Sequence, residues 1–98
     1  MLKISIIETK TQYRMVLEGR LIAPWAAELS GAREKAAREL AGRELVIDVR
    51  NLTSIGEDGK AALQELMRQG ARFICCGVFT RHILRQLARN ASQKETKG

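Results

Sequence analysis

The run Leu45-Val46-Ile47-Asp48-Val49 constrains the fold more than any other stretch of the chain. Apolar at every position but Asp48, it has no polar face to offer water. A short run that is apolar on both sides reads as a strand in the interior of a sheet. Asn51 to Asp58 then gather the turn-forming residues, and Gly59 to Met67 carry apolar residues at helical spacing. Strand, polar turn and amphipathic helix in that order form a unit of an open α/β sheet. The end of such a strand, where the chain turns into a helix, is a favoured place for binding. The turn Thr53-Ser54-Ile55-Gly56-Glu57-Asp58-Gly59 is therefore the first candidate site.

The remaining elements fall into place around this unit. Leu2, Ile4 and Ile6 alternate with Lys3 and Ser5, and Tyr13, Met15 and Leu17 with Arg14, Val16 and Glu18. Period-two alternation predicts two half-buried strands. The short polar link Thr9-Lys10-Thr11-Gln12 makes them an antiparallel hairpin. Pro24 fits the first turn of a helix, where its missing N–H costs nothing. Residues 25–41 are rich in helix formers, with Ala26, Leu29, Ala36 and Leu40 on one face and Ala32 and Ala37 widening it. Gly42 stops this helix, and Gly31 weakens its interior. A second helix spans Lys60 to Arg68, with Ala62, Leu63, Leu66 and Met67 inward. Arg72 to Phe79 predicts a fourth strand, apolar on both faces. Thr80 caps a third helix, Arg81 to Asn90, with Ile83, Leu84, Leu87 and Ala88 inward.

The expected fold is α/β, a four-stranded mixed sheet in the order β-β-α-β-α-β-α, with helices mainly on one face. One domain covers 1–91, and 92–98 reads as a disordered polar tail. On the face without helices, Val46, Asp48, Ile74, Cys76 and Val78 are more apolar than an open face should be. A partner, a second subunit or the tail would cover them.

Composition narrows the function. With 98 residues the chain supports one core. No apolar run approaches the roughly 20 residues that span a bilayer. The N-terminus alternates polar and apolar residues, unlike a signal peptide, so a cytoplasmic location is expected. The net charge of +6 permits an acidic partner or nucleic acid. With one Trp, one Tyr and two Phe, however, a stacking platform for single strands has little material, and nucleic acid is not favoured. Cys75 and Cys76 are adjacent in an apolar run and read as small buried hydrophobes. With His82 alone and no CxxC, neither a metal site nor a cofactor is expected. His82 reads as a helix-surface residue, and Ser30, Ser54 and Ser92 lack the setting of an activated nucleophile. An acid–base reading would need Asp58 or Glu57 to meet Asp48 in one pocket. Arg81, Arg85 and Arg89, spaced by four, form a basic stripe, either a solvated helix face or a contact for an acidic partner or phosphate.

In three places the chain resembles the STAS domain, found in bacterial anti-sigma-factor antagonists and in the cytoplasmic tails of sulfate transporters. Leu17-Glu18-Gly19-Arg20-Leu21 looks like the end of that family's second strand. Leu45 to Val49, with Leu52, Thr53 and Ile55, looks like its third strand and the approach to its signature loop. Gly70-Ala71-Arg72-Phe73-Ile74, followed by Gly77-Val78, looks like its fourth strand. The likeness spans roughly residues 1–91. In antagonist members the signature loop reads Asp-Ser-Ser-Gly or Asp-Ser-Thr-Gly, and a partner kinase, itself the anti-sigma factor, phosphorylates the second hydroxyl residue. Here the matching stretch is Gly56-Glu57-Asp58-Gly59. Gly59 is kept, and Asp58 stands at the phosphorylatable position. Asp58 has one charge and a shorter reach than phosphoserine, which carries about −1.5 to −2.

The resemblance implies a non-enzymatic interaction module in bacterial regulation, with its charge fixed by sequence. Its partner would be an anti-sigma kinase-like or other regulatory protein. Docking would use Thr53, Ser54, Gly56, Glu57, Asp58 and Gly59 together with the exposed side of the second helix. A small-ligand, nucleotide- or anion-binding STAS domain, an adaptor subunit of a transporter complex, and a homodimer are the other readings the resemblance allows.

Overall fold

The computed structural model describes residues 1–75 and 77–97, apart from the side chains of 78, 79 and 90–97. The elements are β1 (Leu2–Glu8), β2 (Gln12–Leu21), α1 (Ala26–Glu39), β3 (Glu44–Ile55), α2 (Glu57–Arg68), β4 (Arg72–Ile74) and α3 (Val78–Lys97). They form one four-stranded sheet in the order β1-β2-β3-β4. β1 is antiparallel to β2, while β2, β3 and β4 run parallel. Both the expected element order and the mixed sheet are present.

The hairpin is closed by Thr9. Its N–H donates to the Gln12 carbonyl at 2.9 Å, and its hydroxyl accepts the Gln12 N–H at 3.0 Å. Tyr13, Met15 and Leu17 of β2 then turn inward beside Leu45, Ile47 and Val49 of β3. Leu29 of α1, Leu63 and Leu66 of α2, and Ile83, Leu84 and Leu87 of α3 complete the same cluster, so the helices share one face of the sheet. Each side chain removed from water here contributes roughly 1.5–3 kcal/mol. Arg43 ties the hairpin to α1. It lies over the Tyr13 ring at 5.6 Å, pairs with Glu8 at 3.0 Å, and donates to the Glu39, Leu40 and Thr9 carbonyls. It thus satisfies carbonyls that the end of α1 would otherwise leave unpaired. Burial pushes the Tyr13 hydroxyl above its usual pKa, Glu39 and Glu8 add to that, and Arg43 opposes it.

Several element bounds differ from the sequence expectation. Pro24 stands before α1 and not in its first turn, for the helix begins at Ala26 with Trp25 as its N-cap. Ala37 is exposed, as is Ala88. β4 is three residues long and lies at the sheet edge, where the expected strand ran to Phe79. The reason is Gly77, which takes φ +85° and turns the chain into α3. Helix α3 therefore begins at Val78, and Thr80 lies inside its first turn and does not cap it. Cys75 is half-buried, not buried, and Cys76 lies outside the described residues. α3 runs to Lys97, past the expected end at Asn90 and through most of the stretch read as a tail; the side chains of 92–97 and all of Gly98 lie outside the described residues.

Gly31 does not interrupt α1. A Cβ built there meets nothing within 4 Å, and its φ is not in the left-handed region. Gly31→Ala is expected to stabilise the protein by about 0.5–1 kcal/mol, because alanine is the better helix former and restricts the unfolded chain. Urea denaturation measures this; an unchanged or lowered midpoint would count against it.

Candidate functional site

The stretch read as a seven-residue loop is almost entirely regular structure. β3 continues to Ile55, and α2 begins at Glu57. Gly56 alone separates them. Turn-prone residues remain in the strand because β2 continues alongside: past one irregularity in the ladder Gly19 pairs with Leu52, and past a second Arg20 pairs with Ser54 and Leu21 with Ile55. Thr53 donates its hydroxyl to the Gly19 carbonyl at 3.0 Å. Ser54 is thus a ladder residue of β3, and Thr53, the unpaired residue at the second irregularity, is tied to β2 by its hydroxyl; neither is a loop residue.

The corner itself is built by two glycines. Gly56 is the N-cap of α2, and its N–H donates to the Leu21 carbonyl at 2.9 Å. Its own carbonyl accepts the Lys60 N–H at 2.9 Å, which starts the helix. A Cβ on Gly56 would lie 3.2 Å from Ile22 Cγ2. Gly59 is buried against the end of β2, and a Cβ there would lie 2.8 Å from Leu21 Cγ and closer still to the Leu21 carbonyl oxygen. The first turn of α2 can sit on β2 only because that side chain is absent.

Seating the turn this way leaves Glu57 and Asp58 exposed. Both stand at the positive end of the helix dipole, where a carboxylate gains about 0.3–1 kcal/mol. Glu57 pairs with Lys60 at 3.5 Å on the surface. No described residue hydrogen-bonds or ion-pairs with the Asp58 carboxylate.

Two grooves flank this turn. One, of about 440 Å³, runs between α1 and α2; Asp58 lines it with Ser30, Arg33, Ala61, Ala62 and Glu65. The other, of about 320 Å³, runs between α2 and α3; Glu57 lines it with Lys60, Ala61, Gln64 and Gln86. Exposed Ala61 lines both, so it forms the ridge between them. Ser30, weighed in the sequence only as a nucleophile, and Arg33 and Glu65 carried no signal of this groove there, because the pairing of α1 with α2 leaves no local trace. Arg81, Arg85 and Arg89 are exposed on α3 and line neither groove.

The structure does not assemble the acid–base reading. Asp48 and Val46 face the side of the sheet opposite the helices, whereas Glu57 and Asp58 belong to α2. Asp48 is 3% exposed, and Arg50 closes over it. The guanidinium donates to Oδ1 at 3.0 Å and to Oδ2 at 2.8 Å, and the Arg50 backbone N–H donates to Oδ1 at 3.1 Å. The Arg50 side chain holds the Asp48 carboxyl below its usual pKa; burial opposes this, while the Arg50 backbone and nearby Arg14 reinforce it. In the ladder, Val46 lies between Arg14 and Arg72. Long arginine stems cover apolar surface well. Among the described residues, no three His, Cys, Asp or Glu side chains are grouped to hold a metal. No helix of the described residues is long and apolar enough to cross a membrane.

No protein-family model matches the sequence, and no curated protein matches it. Among solved structures, the chain is similar to an uncharacterized protein of the DUF3478 family with a SpoIIAA-like fold, from Shewanella loihica PV-4. The TM-score is 0.52 and the sequence identity 17%, and the match covers 81% of this chain and 70% of that one. The chain therefore has a SpoIIAA-like fold, the fold of the STAS domains it resembles in sequence.

Proposed function

We propose that the protein is a non-enzymatic interaction module of a bacterial regulatory system, similar in role to an anti-sigma-factor antagonist. Its docking surface is the first turn of α2 with the two grooves beside it. The observation that carries this reading is Asp58: an exposed carboxylate, without a described partner, that lines a groove and stands where the resemblance places a phosphorylatable hydroxyl. The charge of this surface is set by the sequence and not by a kinase, so the module stays in one state. Gly56 and Gly59 seat the turn, Glu57 and Asp58 supply charge, and Ala61 lets a partner approach the helix closely. Thr53, through its hydroxyl bond to β2, and Ser54, through the β3 ladder, support the corner. Arg81, Arg85 and Arg89 offer a basic surface on the adjoining helix for an acidic segment of the same partner.

The test is calorimetric titration with kinase-type anti-sigma factors encoded near this gene. Wild type is expected to bind, and Asp58→Lys to weaken binding at least tenfold, because reversing a charge at a contact costs well over 1 kcal/mol. Asp58→Ser is expected to accept phosphate from such a partner. No binding by wild type, together with no phosphate incorporation by Asp58→Ser, would remove the proposal.

A further inference from the structure

The large apolar side chains left exposed among the described residues gather on one strand and its start. Met1 is 82% exposed, Ile7 50% and Ile6 38%. β1 is an outer strand of the sheet, seven residues long, and its register on β2 is unshifted throughout. A long, regular, apolar edge is a template for pairing with another chain. The opposite edge, β4, is only three residues long.

Two hydrogen bonds show which backbone groups of β1 point outward. The Arg20 N–H donates to the Met1 carbonyl, and the Thr9 N–H to the Gln12 carbonyl, each at 2.9 Å. Both pairs continue the β1–β2 register, in which Leu2 faces Gly19 and Glu8 faces Tyr13. Hydrogen-bonded and non-bonded pairs alternate along an antiparallel ladder. Lys3, Ser5 and Ile7 therefore turn their N–H and C=O toward β2. Leu2, Ile4, Ile6 and Glu8 turn theirs to the free edge.

We infer that β1 pairs antiparallel with β1 of a second copy of this chain, about a two-fold axis at Ser5. This register places Ile4 opposite Ile6, Leu2 opposite Glu8 and Lys3 opposite Ile7. Every outward-facing residue then meets another, so backbone groups pair along the whole strand. A shift by one residue would set outward groups against inward ones, and a shift by two would shorten the overlap. Ile6 gains an isoleucine as its cross-strand neighbour, and the Lys3 stem lies over Ile7. No like charges face each other. The strand is thus complementary to itself, which is what a two-fold contact requires, and this favours a second copy over an unrelated extended peptide. The contact is a strand pairing with few side chains, so the dimer forms in a concentration-dependent way.

Sedimentation velocity of the full chain over a concentration series is the direct test, and a monomer–dimer equilibrium is expected. Ile6→Pro deletes an outward N–H and leaves the ladder to β2 intact, so it should be folded by circular dichroism and monomeric. Ser5→Cys places two thiols in a non-hydrogen-bonded pair, with Cα atoms about 4.5 Å apart, within disulfide reach. It should cross-link on mild oxidation. Lys3→Cys, which faces Ile7 and not itself, should not exceed the background of the native cysteines. A chain that stays monomeric throughout overturns the inference. So does a dimer that persists in folded Ile6→Pro, one that does not trap Ser5→Cys, or association seen only with an added extended peptide. If Ile6→Pro unfolds, the two cysteine variants decide.

Discussion

Gly59→Ala is expected to destabilise the protein by about 3 kcal/mol, the upper end of the usual range for overpacking. For a domain of this size that corresponds to a fall in Tm of roughly 12–24 °C. The added methyl would lie 2.8 Å from Leu21 Cγ and nearer still to the Leu21 carbonyl oxygen. A flexible side chain could move aside, but the carbonyl belongs to the end of β2, whose pairing with Ile55 and bond to the Gly56 N–H fix it in place. The first turn of α2 must therefore lift away from the sheet. That shift would also displace Asp58 and close or distort the groove it lines. The variant should lose partner binding by more than its stability alone explains, measured at a temperature where it is still folded. Gly31→Ala is the matching control, since it adds the same methyl in open space and should act in the opposite direction. A Gly59→Ala protein as stable as wild type would show that α2 does not sit on β2 as described.

Gly59 also shows what was legible beforehand and what was not. The sequence places a glycine after two acidic residues at the start of a helix, and the resemblance marks that glycine as retained. What requires a glycine there is the approach of another strand's backbone, and strand-to-helix distance leaves no trace in the local pattern. β1 and β2 were legible because alternation records a sheet with one covered face. The apolar run from Leu45 to Val49 was legible because an interior strand has nowhere to place polar groups. Its continuation to Ile55 was not: Asn51, Thr53 and Ser54 have turn chemistry, and only the run of β2 from Glu18 to Leu21 alongside them overrides it. The shortness of β4 was hidden for the converse reason, since an apolar run looks the same whether it becomes a strand or turns at a glycine into a helix. Arg43 is the clearest omission among structural residues. Its partners Glu8, Thr9 and Tyr13 are distant in sequence, and no periodicity announces a side chain that closes a helix end against a hairpin. At the candidate site, Asp58 was legible as an exposed first-turn carboxylate, whereas the grooves that frame it arise from helix pairing.

Arg50→Met is expected to cost about 2 kcal/mol at pH 7, with a cost that depends on pH in a way a loss of packing would not. Asp48 is nearly inaccessible, and removing the guanidinium leaves a buried carboxylate without its main partner. Breaking a fully buried pair costs about 3–5 kcal/mol. The Arg50 side chain is half exposed, so the figure is reduced for solvent screening. In wild type the Asp48 pKa is lowered, chiefly by the Arg50 hydrogen bonds. A lowered folded-state pKa contributes stability that is fully present above the unfolded value of about 3.9 and is lost as pH falls through the folded value. In Arg50→Met the burial that opposes ionisation remains while its chief counterweight is gone, so the pKa rises. Protonation then relieves the buried charge, and acidification costs the variant less than wild type. The stability gap between the two should therefore narrow from pH 7 to about pH 3, as urea denaturation at several pH values would show. Comparing the gap, and not either protein alone, cancels the titration of carboxylates elsewhere. A gap that stays constant across this range would mean that Arg50 acts through the packing of its aliphatic stem and not by holding the Asp48 charge.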